Sequence, residues 1–252
     1  MLRALIWDVD GTLAETERDG HRLAFNLAFE EYGLSWYWNE QRYGELLQVT
    51  GGRERLLFDM DTRDDSPAHG ADRNELAAAL HAGKNRHYAR LVADGVVTLR
   101  AGVRELMQDC AQEGLPMAIA TTTSRSNVEA LLSAHFGGAG LRRFAAILCA
   151  EDAPAKKPDP LVYRLCLQRL GVSASEVVAR EDSPAGVAAC AALGVPVVVT
   201  RSHYFACDEV QGALAVGPGL GEAHGWMPAA AWHGRIALEQ IRAWLAESRD
   251  RC

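Results

Sequence analysis

The sequence predicts an α/β fold, a doubly wound and mainly parallel Rossmann-like sheet with a helical domain inserted after its first strand. Three observations predict it. Short apolar runs alternate with helical segments of about ten residues, the pattern of right-handed parallel crossovers. Residues 8–116 separate the first two apolar runs, far more than an ordinary crossover needs. Within that gap the periodicity is helical throughout.

The elements follow in order. Leu2–Trp7 is a continuous apolar run and so a buried strand. In the insert, Leu23 with Leu27 and Phe25 with Phe29 repeat at i,i+4 until Gly33. Asp72 and Glu75 open a long helical pattern, Leu76–Ala93, which closes at Asp94-Gly95. The division expected is a helical cap over 14–91 and a core of 1–13 with 92–252. The Trp36-Tyr37-Trp38 cluster is expected to pack inside the cap. In the core, Arg104–Glu113 is a helix ending before Gly114, and Met117–Thr121 is the second strand. Ser126 and Glu129 have capping-box spacing for a helix to His135. Ala145–Ala150 is a third strand, and Leu161–Leu170 is a helix between Pro160 and Gly171. Val177–Arg180, a helix over Ala185–Leu193 and Val195–Thr200 complete the alternation. Gly212–Gly225 is expected to be irregular, and Ala229–Glu247 to be one amphipathic helix.

Composition limits the function. Hydrophobic residues make up 48% of 252, enough for a sizeable core. With 26 basic against 33 acidic residues, the net charge of -7 argues against nucleic acid or anionic membrane as a partner. The cysteines, Cys110, Cys149, Cys166, Cys190, Cys207 and Cys252, show no C-x-x-C pair and are expected to be reduced structural thiols. No apolar run approaches a membrane span, and the chain opens directly on a strand, so a cytoplasmic monomer is expected.

Four loops carry the chemistry, each where a strand ends. Asp8-Val9-Asp10-Gly11-Thr12 sets two carboxylates on one face, and Gly11 lets the chain turn away at once. Ligands of open α/β sheets bind beyond the carboxyl ends of their strands. Two carboxylates there repel unless a cation joins them, and hard oxygen donors suit Mg²⁺. Thr121-Thr122-Thr123 offers hydroxyl and backbone N–H groups for phosphoryl oxygens, although threonine is also an ordinary helix cap. Lys156-Lys157-Pro158-Asp159 supplies a cation that can neutralise a nucleophile and a transferring phosphoryl group. Glu181-Asp182-Ser183 adds two carboxylates. Each loop alone can be a solvated turn. Asp, Thr, Lys and Glu-Asp in this order at four strand ends are harder to dismiss.

That order resembles the four motifs of the haloacid dehalogenase superfamily over nearly the whole chain. The resemblance implies that Asp8 attacks phosphorus to form an aspartyl phosphate and that Asp10 is the acid and base. It implies that Thr121 binds a phosphoryl oxygen and that Lys157 balances charge. It places Mg²⁺ on Asp8, the backbone carbonyl of Asp10 and Asp182, with Glu181 close by. Dehalogenases of the superfamily lack the second aspartate and need no metal, so Asp10 and Asp182 argue for a phosphatase.

The insert narrows this further. TERDGHRLAFNLAF followed by YGELLQVTGGRER is similar to the xylulose-1,5-bisphosphate phosphatases of the CbbY type. That resemblance implies a sugar bisphosphate substrate, cleaved to xylulose 5-phosphate, with Glu17, His21, Tyr43, Gly52, Arg53, Lys84 and Thr122 around it. Arg53 would hold the distal phosphate, since its planar fork of donors matches phosphate. The blander reading makes His21 a packing residue and Arg53, with Glu54 and Arg55, a solvated charge run. Trp7 in place of phenylalanine, Glu15 in place of aspartate and Ser183-Pro184 in place of Ser-Arg-Asn depart from the group. Sugar phosphomutases such as β-phosphoglucomutase and phosphoglycolate phosphatases are the alternative functions. A non-catalytic binding protein is disfavoured because all four motifs are intact.

Overall fold

The computed structural model describes residues 1–67 and 70–249. Cys252 lies outside the described residues. In chain order the elements are β1 (Ala4–Trp7), a π-helical turn (Glu17–His21), α1 (Arg22–Glu31), α2 (Glu40–Leu46), α3 (Gly52–Met60), α4 (Ala71–Ala93) and α5 (Val103–Gln112). Then come β2 (Met117–Ala120), α6 (Arg125–Phe136), β3 (Ala146–Leu148), α7 (Leu161–Leu170), β4 (Val177–Glu181), α8 (Pro184–Ala191), β5 (Val197–Thr200), β6 (Ala215–Gly217) and α9 (Leu238–Arg249). The sheet is parallel throughout, in the order β3-β2-β1-β4-β5-β6. Strand order reverses beside β1, so a crevice opens between the ends of β1 and β4.

Alternation along β1 explains the two layers. Leu5 and Trp7 join a core with Leu106 of α5, Leu131 of α6 and Trp244 of α9. Ala4 and Ile6 face the opposite core, with Tyr163 of α7 and Val187 of α8. A third cluster, Phe25, Phe29, Trp36, Trp38, Tyr43, Leu56 and Leu80, lies within the insert. Trp36 and Trp38 pack there as expected, whereas Tyr37 is 65% exposed. The chain leaves and re-enters the core side by side, where Ala14 bridges Leu99.

Three local expectations need correction. α6 begins at Arg125 with Ser124 as its N-cap, so Ser126 and Glu129 are not a capping box. The reciprocal box forms instead at Ser173 and Glu176, where a single turn precedes β4. Gly212–Gly225 contains β6, because Val198 and Thr200 of β5 offer a free edge to Ala215 and Gly217. The final helix starts at Leu238, not Ala229. Gly234 at φ +93° and the bond from Ile236 N to Leu220 O keep the preceding segment irregular.

Candidate active site

β1 delivers Asp8 into the crevice, and the turn after it is held by Gly11 N bonding to Ala14 O at 2.8 Å. Gly11 has φ +77°, and a Cβ there would overlap the Asp182 carboxylate, so two requirements fix a glycine at this position. Lys157 Nζ donates to Asp8 Oδ1 at 2.6 Å, to Glu181 Oε1 at 2.6 Å and to Ala120 O at 3.0 Å. Glu181 Oε1 also accepts from the Tyr163 hydroxyl. Asp8, Glu181 and Asp182 are buried, and one carboxylate oxygen from each lies within 4.8 Å of the others. Burial is the main cause that raises the Asp8 pKa, to about 8; Lys157 opposes it, while Glu181 and Asp10 add to it. Burial and the charges of Asp8 and Glu181 likewise hold Asp182 well above the carboxylate range. Three buried, mutually repelling carboxylates form an all-oxygen donor set that fits a hard divalent cation.

Asp10 has different partners. Its Oδ1 accepts from Thr16 Oγ1 at 2.6 Å and contacts His21 Nε2 at 2.9 Å. Burial raises its pKa, but the charge and hydrogen bond of His21, with Thr16 and Lys84, bring it down to about 2. His21 stacks on Tyr88 with ring centroids 4.3 Å apart.

A cavity of about 310 Å³ lies between the strand ends and the inserted helices. It is lined by Asp8, Asp10, Glu17, His21, Gly52, Arg53, Lys84, Thr122, Lys157 and Asp182. The structure therefore brings together most of the residues singled out from the sequence. Tyr43 and Thr121 stand behind the lining. The Tyr43 hydroxyl donates to Glu17 and accepts from Arg55 Nη1 at 2.8 Å. The Thr121 hydroxyl accepts from Thr123 N at 3.2 Å, and Thr122, Thr123 and Ser124 form the wall instead. Glu181 is tied to Lys157 and Tyr163. Arg53 is exposed at the rim and bonds Asn74 at 3.2 Å. Lys84 is buried, and that burial depresses its pKa to about 8 even though Asp10 and Glu17 favour its charged form.

Several lining residues were not singled out. Arg55 is buried, lies 3.6 Å from Glu17 and bonds Leu46 O. His81, Ser124 and Phe205 also line the cavity, and so does Thr123 of the Thr121-Thr122-Thr123 loop. Arg55 stood within the quoted GGRER run, but only tertiary packing distinguishes it from Arg53. Thr16 stood at the start of the TERDGH run; His81 lies in the long helical pattern Leu76–Ala93, which marks it as helical but not as a lining residue, and Phe205 lies in a segment without a recognisable pattern.

Comparison with known proteins shows the family. A family model described as haloacid dehalogenase-like hydrolase matches residues 2–194. A plasmid-encoded protein CbbY of Cupriavidus necator is 46% identical over 246 residues, 96% of each chain. The crystal structure of CbbY from Rhodobacter sphaeroides in complex with phosphate superposes with TM-score 0.78 at 38% identity, covering 84% of this chain and 92% of that one. A variant of that protein in complex with xylulose 1,5-bisphosphate gives TM-score 0.82 at 37% identity, covering 89% and 97%. The chain belongs to the haloacid dehalogenase-like hydrolases, and within them it is a phosphatase of the CbbY type.

Proposed function

We propose that this phosphatase depends on Mg²⁺ and hydrolyses the 1-phosphate of xylulose 1,5-bisphosphate through an aspartyl phosphate on Asp8. The observation that carries this reading is a pair of carboxylates in contrasting environments at one cavity. Asp8 is gripped by Lys157 at 2.6 Å among further acids, and Asp10 is paired with Thr16 and His21.

Asp8, Asp182 and the Asp10 carbonyl would hold the metal, with Glu181 orienting Lys157 behind them. Bound there, Mg²⁺ would neutralise the acids and screen the nucleophile from the phosphoryl oxygens. Lys157 favours the ionised form of Asp8 against its burial, and would compensate charge as the phosphoryl group arrives. Thr122, in the cavity wall after β2, would donate to phosphoryl oxygens, and Thr121 behind it would reach them only after a change of its hydroxyl's partner. As a carboxylate, Asp10 suits the second half of the reaction, in which it takes a proton from water. For the first half it must carry a proton to the leaving oxygen, and an anionic phosphoryl group entering beside it raises its proton affinity. We assign 14–91 as a cap that excludes bulk water. Glu17 and His21 would read the sugar hydroxyls, while Tyr43 fixes Glu17. Arg53 and Lys84 would serve the second phosphate, with Gly52 giving it room.

The chemistry of a ligand reported for a relative at 37% identity supports the substrate. The test is phosphate release from a panel of sugar mono- and bisphosphates with Mg²⁺. We expect xylulose 1,5-bisphosphate to lead, with strong discrimination against its ribulose epimer, because a site that hydrogen-bonds one hydroxyl leaves buried groups unpaired with the other configuration. Comparable rates on both epimers would remove the xylulose assignment. Return of the phosphoryl group to sugar, with no inorganic phosphate released, would make the enzyme a mutase.

A further inference from the structure

His81 sits on α4 with its ring against Gly52, the first residue of α3. A Cβ at Gly52 would lie 2.9 Å from both Cδ2 and Nε2 of His81. The missing side chain at Gly52 is thus the space that His81 occupies, and the imidazole lines the same cavity as Arg53, Lys84 and Lys156. We propose that His81 is a proton-binding specificity residue for the distal phosphate, neutral in the empty cavity and protonated when a phosphate dianion enters. This inference rests on the bisphosphate reading above.

The charges around the ring give the reason. On its own helix it faces Lys84. Across from it, α3 carries Arg53, the π-helical turn carries His21, and the loop before α7 carries Lys156. Burial, then Lys84, His21, Lys156 and Arg53, push the His81 pKa down to about 3. The carboxylates on this side of the cavity have partners: Glu54 lies 3.7 Å from Lys156, Glu17 is held by Tyr43 and Arg55, Glu151 accepts from Arg125 N, and Asp10 is tied to Thr16 and His21. From α1 the cavity receives only Phe25, which carries no charge. One more positive charge is therefore disfavoured until an anion arrives. A phosphate dianion among Arg53, Lys156 and Lys84 reverses the sign of the local potential, and the imidazole then binds a proton and donates to it. A neutral sugar end brings no such charge, so His81 would distinguish a bisphosphate from a monophosphate.

The experiment is histidine-detected ¹H–¹⁵N NMR on the Asp8→Asn protein with Mg²⁺ at pH 6, with His81→Gln used to assign the resonance. Adding xylulose 1,5-bisphosphate should convert the His81 nitrogens from a neutral-tautomer pattern to an imidazolium pattern. A ring that stays neutral at saturation, while His21 resonances move, overturns the proposal. So does a ring already protonated in the empty protein. If no histidine resonance responds to the bisphosphate, the substrate reading fails and this inference fails with it. Kinetics give a second readout in the protein with Asp8 intact. His81→Gln should lower kcat/KM for the bisphosphate about tenfold at pH 6, shrinking to about twofold at pH 9. A loss of equal size at every pH would leave His81 only a packing role against Gly52 and overturn the assignment.

Discussion

Asp8 and Asp10 are two residues apart and meet opposite environments, one among acids and one beside His21 and Thr16. Asp8→Asn is expected to abolish turnover, because an amide cannot form an acyl phosphate. Retention of more than a few per cent of activity in the purified variant would sink the nucleophile assignment. Arg53 and Arg55 make a second contrast. Arg55 is buried between Tyr43, Glu17 and Leu46 O, so Arg55→Met would strand Glu17 and should destabilise the protein by about 3–5 kcal/mol. Exposed Arg53 should cost under about 0.5 kcal/mol of stability when changed to alanine. Its loss should appear in kcat/KM for the bisphosphate, by about 2–4 kcal/mol. Urea unfolding and steady-state kinetics on both variants check this; similar unfolding losses would put Arg53 in the fold.

β4 carries the least expected residue of any element. Arg180 is fully buried, register-paired with Trp7 and Val198, and aligned one position before Glu181. None of its guanidinium nitrogens has a hydrogen-bond partner among the described residues. Burial, then the charge of Arg100, lowers its pKa to about 9, and the Trp226 ring lies 5.9 Å from its guanidinium carbon. A desolvated cation with so little compensation is unfavourable. Arg180→Leu is therefore expected to raise the unfolding free energy by about 1–3 kcal/mol, measured by urea titration. A lower midpoint in urea would show that Arg180 stabilises β4. The loop after β5 joins the two halves of the molecule. Tyr204 packs on Tyr43 with centroids 5.7 Å apart, its Cδ1 3.2 Å from where a Cβ on Gly44 would be. Phe205 packs against the insert's core cluster.

Across the whole molecule the buried acids at the strand ends couple folding to pH, and on the proposed reading to Mg²⁺ as well. The Asp8 pKa lies near 8 in the folded, metal-free protein, against 3.8 as its ordinary value. Folding then binds a proton that the unfolded chain releases, so stability falls as pH rises from about 4 toward 8. Asp182 shifts in the same direction. Mg²⁺ must displace those protons, so its affinity should rise across the same window. In calorimetry, Mg²⁺ should release protons on binding. It should raise Tm more at pH 8 than at pH 5, and chelator should abolish turnover. An equal shift in Tm at both pH values would mean that the acids are not the metal site. Asp10 acts oppositely. Its depressed pKa contributes stability above pH 3.8, lost as pH falls toward 2.

The sequence by itself determined the alternation of strands and helices, the long insert and the four strand-end loops. Those features depend on local periodicity and on residues within a few positions of each other, such as Asp8 with Asp10 or Glu181 with Asp182. It also marked Glu17, His21 and Lys84 through a resemblance in the insert. It missed β6, since a three-residue strand forms only where β5 leaves an edge to pair with. It placed Ser126 at a cap that Ser124 occupies, and extended the last helix through Gly234. Only the tertiary structure decided that Arg55 is buried while Arg53 is exposed, that Thr123 and Ser124 line the wall beside Thr122, and that His81 fills the space left by Gly52. These choices depend on contacts between segments far apart in the chain, where burial and neighbouring charge, not residue type, fix what a side chain can do.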